Sequence, residues 1–154
     1  MKLFRINRLE RVSLPSSCPF FVFWRAPPPG WLKVNFGGSV CSSAYRGGAG
    51  YVVRDHDGKL ILASGYPLLD VSVLLVEMIA AWNAIKAAVC QIKARKLWIE
   101  GDALGIILAI RKASRADSYA ANLLKDIKVC FQTLEEWKVS RRIYFNGSCG
   151  SERL

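Results

Sequence analysis

The feature that most limits what this chain can fold into is a change of period near its middle. From Trp31 to Tyr66 the apolar residues fall in short strand-like runs, "LKVNF", "GGAGYVVRD" and "LILASGY". From Ser72 they recur at helical spacing, in "SVLLVEMIAAWNAIKAAVCQI". A period of two sends alternate side chains to opposite faces of a sheet, whereas a period near 3.6 gathers them on one face of a helix. The "HDGK" turn between the second and third runs places Gly58 where a hairpin needs it. An antiparallel meander followed by a long helix is the expected start of the domain. Ser72 is the expected N-cap of that helix. Glu77, Ala81, Ala84 and Ala88 share one of its faces, and an alanine stripe lets a helix lie close on a sheet. An acid on that small-residue packing face stands out, because carboxylates are seldom buried without a reason.

The run continues as "KLWIEGD", a fourth strand ending in Asp102, after the basic connection "KARK". A short helix, "ALGIILAIRKA", and an amphipathic one, "SYAANLLKDIKVCFQTLEEW", follow before a last strand, "KVSRRIYF". The order β-β-β-α-β-α-α-β predicts an α/β domain, three hairpin strands and then crossover strands. Residues 1–30 have no sustained period and close on three prolines and a glycine, so they read as an extended, basic lead-in. The expected division is a lead-in over 1–30, a domain over 31–145 and an irregular tail over 146–154.

Composition narrows the function classes. At 154 residues, 52% hydrophobic and 22% charged, the chain is long and apolar enough for one buried core. The apolar stretch 66–92 carries Asp70, Glu77, Asn83 and Lys86, and each charge near a bilayer centre costs roughly 2.5–3.5 kcal/mol. No membrane partner is expected. The net charge of +10 is concentrated at the ends: residues 1–30 carry five basic groups and one acid, and residues 138–154 carry four and one. Basic ends of this kind either bind phosphate backbones without sequence preference or act as solubilising termini. Cysteines 18, 41, 90, 130 and 149 form no C-x-x-C pair and have a single histidine, His56, for company, which argues against structural zinc. Their odd count and wide spacing fit a reducing compartment better than a disulfide framework. Cys90 and Cys130 fall in helical patterns and read as small buried hydrophobes, and His56 reads as a solvated turn residue.

Two acids remain as candidates for chemistry. Glu77 lies in the first turns of the long helix, and Asp102 ends the fourth strand, where open α/β sheets place their ligands. Carboxylates from two elements suit a hard divalent cation such as Mg²⁺. The same residues also suit plain structural roles, an acid near a helix N-terminus and a cap on the next helix.

The pieces "WRAPPPGWLKVNFGGS", "GGAGYVVRDHDGKLILA", "VEMIAAWNAIKAAV" and "KLWIEGDALGIILAI", followed by the helix and "WKVSRRIYF", resemble the plant ribonuclease H-like family associated with reverse transcriptases. The resemblance runs from about Trp24 to Phe145. It implies a ribonuclease H-like fold with a mixed five-stranded sheet and flanking helices. It also implies a chemistry, cleavage of the RNA strand of an RNA–DNA hybrid by two Mg²⁺ ions, or Mn²⁺, held by four acids. Glu77 matches the family's helix acid and Asp102 its fourth-strand acid. The first strand of the family ends in Asn, an apolar residue, Asp, Gly and Ser or Ala. This chain has Asn35, Phe36, Gly37, Gly38 and Ser39, so Gly37 stands where the first aspartate belongs. The fourth acid and the helix that carries it have no match in "YFNGSCGSERL".

The resemblance therefore implies a domain with two metal-binding, catalytic acids of four, an incomplete magnesium site and impaired hydrolysis. A sheet face left uncovered is expected with the missing helix. Gly38, Ser39 and Arg46 are the expected contacts to a nucleic-acid partner, hybrid or duplex; Arg46 also reads as a solvated loop charge. Two alternatives stay open, a binding module that no longer cuts and a vestigial retroelement-derived interaction domain. Oligomeric state and compartment are left open.

Overall fold

In the computed structural model the described residues are 24–41, 46–112 and 119–142. They belong to one compact unit, Trp24–Ile143. The expected tail over 146–154 and the first part of the lead-in therefore lie outside the described residues.

Three strands open the domain, β1 (Leu32–Cys41), β2 (Arg46–Arg54) and β3 (Leu60–Leu69). They pair antiparallel as the alternation predicts, with Phe36 opposite Tyr51 and Tyr51 opposite Ser64. The β2–β3 turn is closed by Gly58, at φ +78°, whose N–H donates to the Asp55 carbonyl at 3.1 Å. Helix α1 (Val73–Lys86) follows, and its N-terminus is capped as expected, the Leu75 N–H donating to Ser72 Oγ at 3.2 Å. Strand β4 (Lys96–Gly101), helices α2 (Leu104–Lys112) and α3 (Tyr119–Gln132), and strand β5 (Glu136–Arg141) complete the order. The sheet runs β3-β2-β1-β4-β5, with β1–β4 and β4–β5 parallel. This is the mixed five-stranded α/β architecture with flanking helices that the order of elements predicts.

The core lies between the sheet and α1. Val34, Val53, Leu97 and Ile99 meet Ala80, Ala81, Ala84, Ile85 and Ala88, all fully buried. Full burial of each aliphatic side chain contributes about 1.5–3 kcal/mol, and the alanines bring the helix backbone near the strands. Val73–Gln91 is long and apolar enough to cross a membrane by length and composition alone. Here half of that stretch is buried as the inner face of the core helix, while Val73 and Leu74 at its start are exposed. Beyond Lys86 the helix widens into a π-turn over Ala87–Gln91.

The structure corrects several expectations. The Gly37–Gly38 pair does not end the first strand: β1 continues through both to Cys41. Arg46 heads β2 and pairs with Cys41 and Leu69, so it is a strand residue and not a loop charge. Cys90, two residues beyond the buried Ala88 in the π-turn, is exposed, and Cys130 is half-buried. The last strand begins at Glu136, and the Trp137 ring stacks on Phe131 at 4.2 Å between centroids.

The sheet face away from α1 is also less bare than the sequence implied. Along β1 the alternation places Lys33, Asn35, Gly37 and Ser39 on that side. Lys33 is 1% exposed and Asn35 is buried. The described end of the lead-in lies across them: Trp24 Nε1 donates to Asn35 Oδ1 at 3.1 Å, and Lys33 Nζ donates to the Arg25 carbonyl at 2.9 Å. The edge strand β3, by contrast, is largely exposed.

Candidate functional site

The site is built where the far end of β1, the end of β4 and the starts of α1 and α2 converge. Its geometry begins with Gly38. A Cβ at this position would stand 3.0 Å from Val76 Cγ1 and 3.1 Å from the Val76 carbonyl carbon. Any side chain there would push the first turns of α1 off the strand, so glycine permits the close approach. That approach brings Glu77, the next residue on the helix, to the strand, where the Gly38 N–H donates to its carboxylate. Glu77 is 7% exposed, and its Oε2 has no hydrogen-bond partner. Burial pushes its carboxyl above the ordinary range; the Gly38 N–H opposes this, and the negative Asp102 adds to it. Desolvation disfavours the charged form of an acid, as does a neighbouring like charge.

Asp102 follows Gly101 at the end of β4, as predicted, and is exposed. Its placement depends on Gly101, because a Cβ there would run into the Phe36 ring. Arg141 Nε donates to the Asp102 carbonyl at 3.2 Å and holds the turn after the strand. The two acids picked out from sequence thus come from different elements to one place, near enough for Asp102 to act on Glu77.

Gly37 faces away from α1, on the side of Asn35. A Cβ built on it meets nothing within 4 Å. Among the described residues, then, no side chain crowds the point where a side chain at this position would begin. Among the described residues no group of three or more His, Cys, Asp or Glu side chains is placed to hold a metal ion. Two Mg²⁺ ions side by side need several carboxylate oxygens to offset their mutual repulsion. Glu77 and Asp102 do not fit that ion pair.

A polar cluster that sequence reasoning missed lies further back along β1. Lys33 Nζ and Glu100 Oε2 form an ion pair at 2.9 Å, and Asn35 Nδ2 donates to Glu100 Oε1 at 2.8 Å. The Lys33 ammonium also sits 3.9 Å from the Trp98 ring centroid and 5.3 Å from that of Trp24. Burial lowers the Lys33 pKa, and Glu100 opposes the shift by hydrogen bond and charge. Lys138 shares the Trp98 ring, at 3.5 Å from its centroid, and lies 5.4 Å from that of Trp31. The available sequence signal was the alternation itself, which puts Lys33 and Asn35 on one face inside a strand. Ser39 and Arg46, the expected nucleic-acid contacts, are exposed at the far ends of β1 and β2, apart from this cluster. Gly38 instead serves the helix contact and the Glu77 carboxylate.

The comparisons agree with this architecture. A family model described as reverse transcriptase-like matches residues 35–141. Among solved structures, ribonuclease H1 from the halophilic archaeon Halobacterium salinarum NRC-1 is similar at a TM-score of 0.64 and 14% identity, over 72% of this chain and 84% of that one. The N-terminal ribonuclease H domain of rv2228c from Mycobacterium tuberculosis, solved as a maltose-binding-protein fusion, also gives 0.64, at 12% identity over 73% and 83%. LC11-RNase H1, solved in complex with an RNA/DNA hybrid, gives 0.61 at 11% identity over 71% and 83%. Among curated protein sequences no relative matches. With its matching span, its strand order and its helix acid held at the first strand, the chain belongs to the reverse transcriptase-like family and has a ribonuclease H-like fold.

Proposed function

We propose that this domain is a nucleic-acid-binding member of the ribonuclease H lineage, of the plant retroelement-associated branch, that holds an RNA–DNA hybrid or duplex with hydrolysis impaired. The observation that carries the impairment is the open space at Gly37. A ribonuclease H needs an acid there to share its metal ions, and no described side chain substitutes for it. Glu77 and Asp102 are the residues that would hold a divalent cation, Mg²⁺ or Mn²⁺, whose chemistry when bound is to activate water and stabilise the leaving oxygen. With two carboxylates, most of the ion's octahedral shell is left to water.

Binding draws on other parts of the chain. The fold is one that LC11-RNase H1 uses on an RNA/DNA hybrid, and the net charge of +10 favours a polyanion. Arg46 and Ser39, exposed at the ends of adjacent strands, are our candidates for backbone contacts. Such contacts fix position without reading sequence.

The test is cleavage and retention of one labelled RNA–DNA hybrid by the full chain, in Mg²⁺ and then Mn²⁺, beside Glu77→Ala. Retention that weakens steeply with salt, with no cleavage, is the expected result. Cutting that vanishes in the Glu77→Ala protein would show that two acids suffice and would overturn the impairment. Failure to retain the hybrid at low salt would overturn the binding function.

A further inference from the structure

Helices α1 and α3 meet along a line of side chains that the candidate site does not use. Trp82, Lys86 and Cys90 follow one another at four-residue steps on the α1 side, Cys90 lying in the π-turn that continues the helix. Trp82 Nε1 donates to Asp126 Oδ2 at 3.2 Å, and the Lys86 ammonium sits 4.7 Å from the Trp82 ring centroid. One turn beyond Asp126 on α3, the Cys130 thiol is in hydrogen-bond contact with Cys90. Two cysteines far apart in sequence thus stand side by side, on elements that other contacts already hold together.

The two sulfurs differ in access. Cys90 is exposed, whereas Cys130 is half-buried and packs against the core. Burial raises the Cys130 pKa, the neighbouring Cys90 and Asp126 add to the rise, and Lys86 opposes it. Cys90 is therefore the sulfur that a solute meets first, and Cys130 is the one held in reserve behind it. An exposed thiol with a second thiol in contact is the arrangement in which a mixed disulfide resolves within one molecule. The π-turn that carries Cys90 is a rare distortion of a helix, and such turns are frequent at functional positions.

From these contacts we propose that Cys90 and Cys130 are a redox modification site, forming a reversible disulfide by exchange with a small oxidised disulfide, glutathione disulfide being the probe. The Cys90 thiolate attacks one sulfur of the small disulfide, whose S–S bond breaks. The first small thiol leaves and takes up the proton that Cys90 gave up. The Cys130 thiolate then attacks Cys90 Sγ in the mixed disulfide, and the second small thiol leaves with the proton from Cys130. Two protein thiols are oxidised to one disulfide, and the small disulfide is reduced to two thiols. The new bond locks the end of the helix that carries Glu77 to α3. Neither the metal site nor hybrid binding enters this step.

The test exposes the reduced full chain, under native conditions, to millimolar glutathione disulfide. Free thiols are then alkylated, and tryptic peptides are mapped by mass spectrometry before and after dithiothreitol. The expected result is a cross-linked pair of peptides, Ala87–Lys93 with Val129–Lys138, that is lost on reduction. The oxidised protein should also need more urea to unfold than the reduced one, because a cross-link between distant residues restricts the unfolded chain. Cys90→Ser and Cys130→Ser replace exposed and half-buried side chains by one of similar size, so both should fold. Each should lose the cross-link and the urea shift, and Cys130→Ser should stop at the glutathione adduct on Cys90. A stable adduct on Cys90 in the unaltered chain, with no cross-link, would overturn the proposal. So would cross-links formed chiefly through Cys18, Cys41 or Cys149. An oxidised protein that unfolds at lower urea would overturn it as well, by showing that the native packing does not hold the two sulfurs in bonding geometry.

Discussion

Gly38 and Val76 are in contact across the strand–helix boundary so closely that a single Cβ on the glycine would fall 3.0 Å from Val76 Cγ1. This contact is the hinge of the site. It sets the height of α1 above β1, and so it decides whether the Glu77 carboxylate reaches the Gly38 N–H.

Gly38→Ala should therefore destabilise the fold by about 1–3 kcal/mol, the range for overpacking a tight contact. Urea unfolding measures it. In the same variant the amide resonance of residue 38 should move, because its hydrogen bond to Glu77 is lengthened. An alanine tolerated with neither effect would mean that the helix does not rest on this glycine.

Glu77 should give stability a distinctive pH dependence. Its carboxyl is raised in the folded protein, mainly by burial. The native state then holds a proton at pH values where the unfolded chain has released it, so stability falls as pH rises from about the ordinary glutamate value through the raised one. Glu77→Gln removes that slope. The variant should be more stable than the parent at pH 7.5, and the difference should shrink toward pH 4. Parallel unfolding midpoints for the two proteins across this range would show that Glu77 is not raised.

The buried pair Lys33–Glu100 should be sensitive to the loss of either partner. Lys33 is 1% exposed and Glu100 13%. Removing one side of a buried ion pair leaves an uncompensated charge and costs about 3–5 kcal/mol. Glu100→Leu alone should fall in that range by chemical denaturation, and Lys33→Met below it, because Glu100 keeps the Asn35 amide and Arg142, at 3.6 Å. The double variant should recover most of it, since paired apolar replacements of similar volume are often neutral. Additive losses in the double variant would mean that the two side chains act independently.

Gly37→Asp tests the missing acid directly. The space is open, so the side chain should enter without strain. Without metal the added carboxylate should lower stability slightly through repulsion with Glu77 and Asp102. With millimolar Mg²⁺ the loss should reverse, because a ligand that binds only the native state stabilises it, by about 2.7 kcal/mol at a hundredfold excess over Kd. Thermal midpoints with and without Mg²⁺ give the comparison, and a labelled hybrid shows whether cutting follows. A midpoint indifferent to Mg²⁺ would show that the third carboxylate does not complete a metal site.

Much of this protein was legible along the chain. The change of period from two to 3.6 determined the meander, the long helix and their order, because backbone pairing and amphipathic burial are local consequences of residue spacing. The Ser72 cap and the inward alanine face followed from the same local rules, and Glu77 and Asp102 could be singled out as acids in unusual places. Position along a strand or helix, however, does not say what lies across the gap. Only the folded chain brought Gly38 under Val76, put Phe36 where Gly101 must have no side chain, and laid Trp24 over Asn35 and Lys33. It also decided that the glycine pair continues a strand, since cross-strand hydrogen bonds to β2 outweigh glycine's weak strand preference. Those contacts join residues far apart in sequence, and their energies come from packing and desolvation, which depend on neighbours that only the tertiary structure supplies.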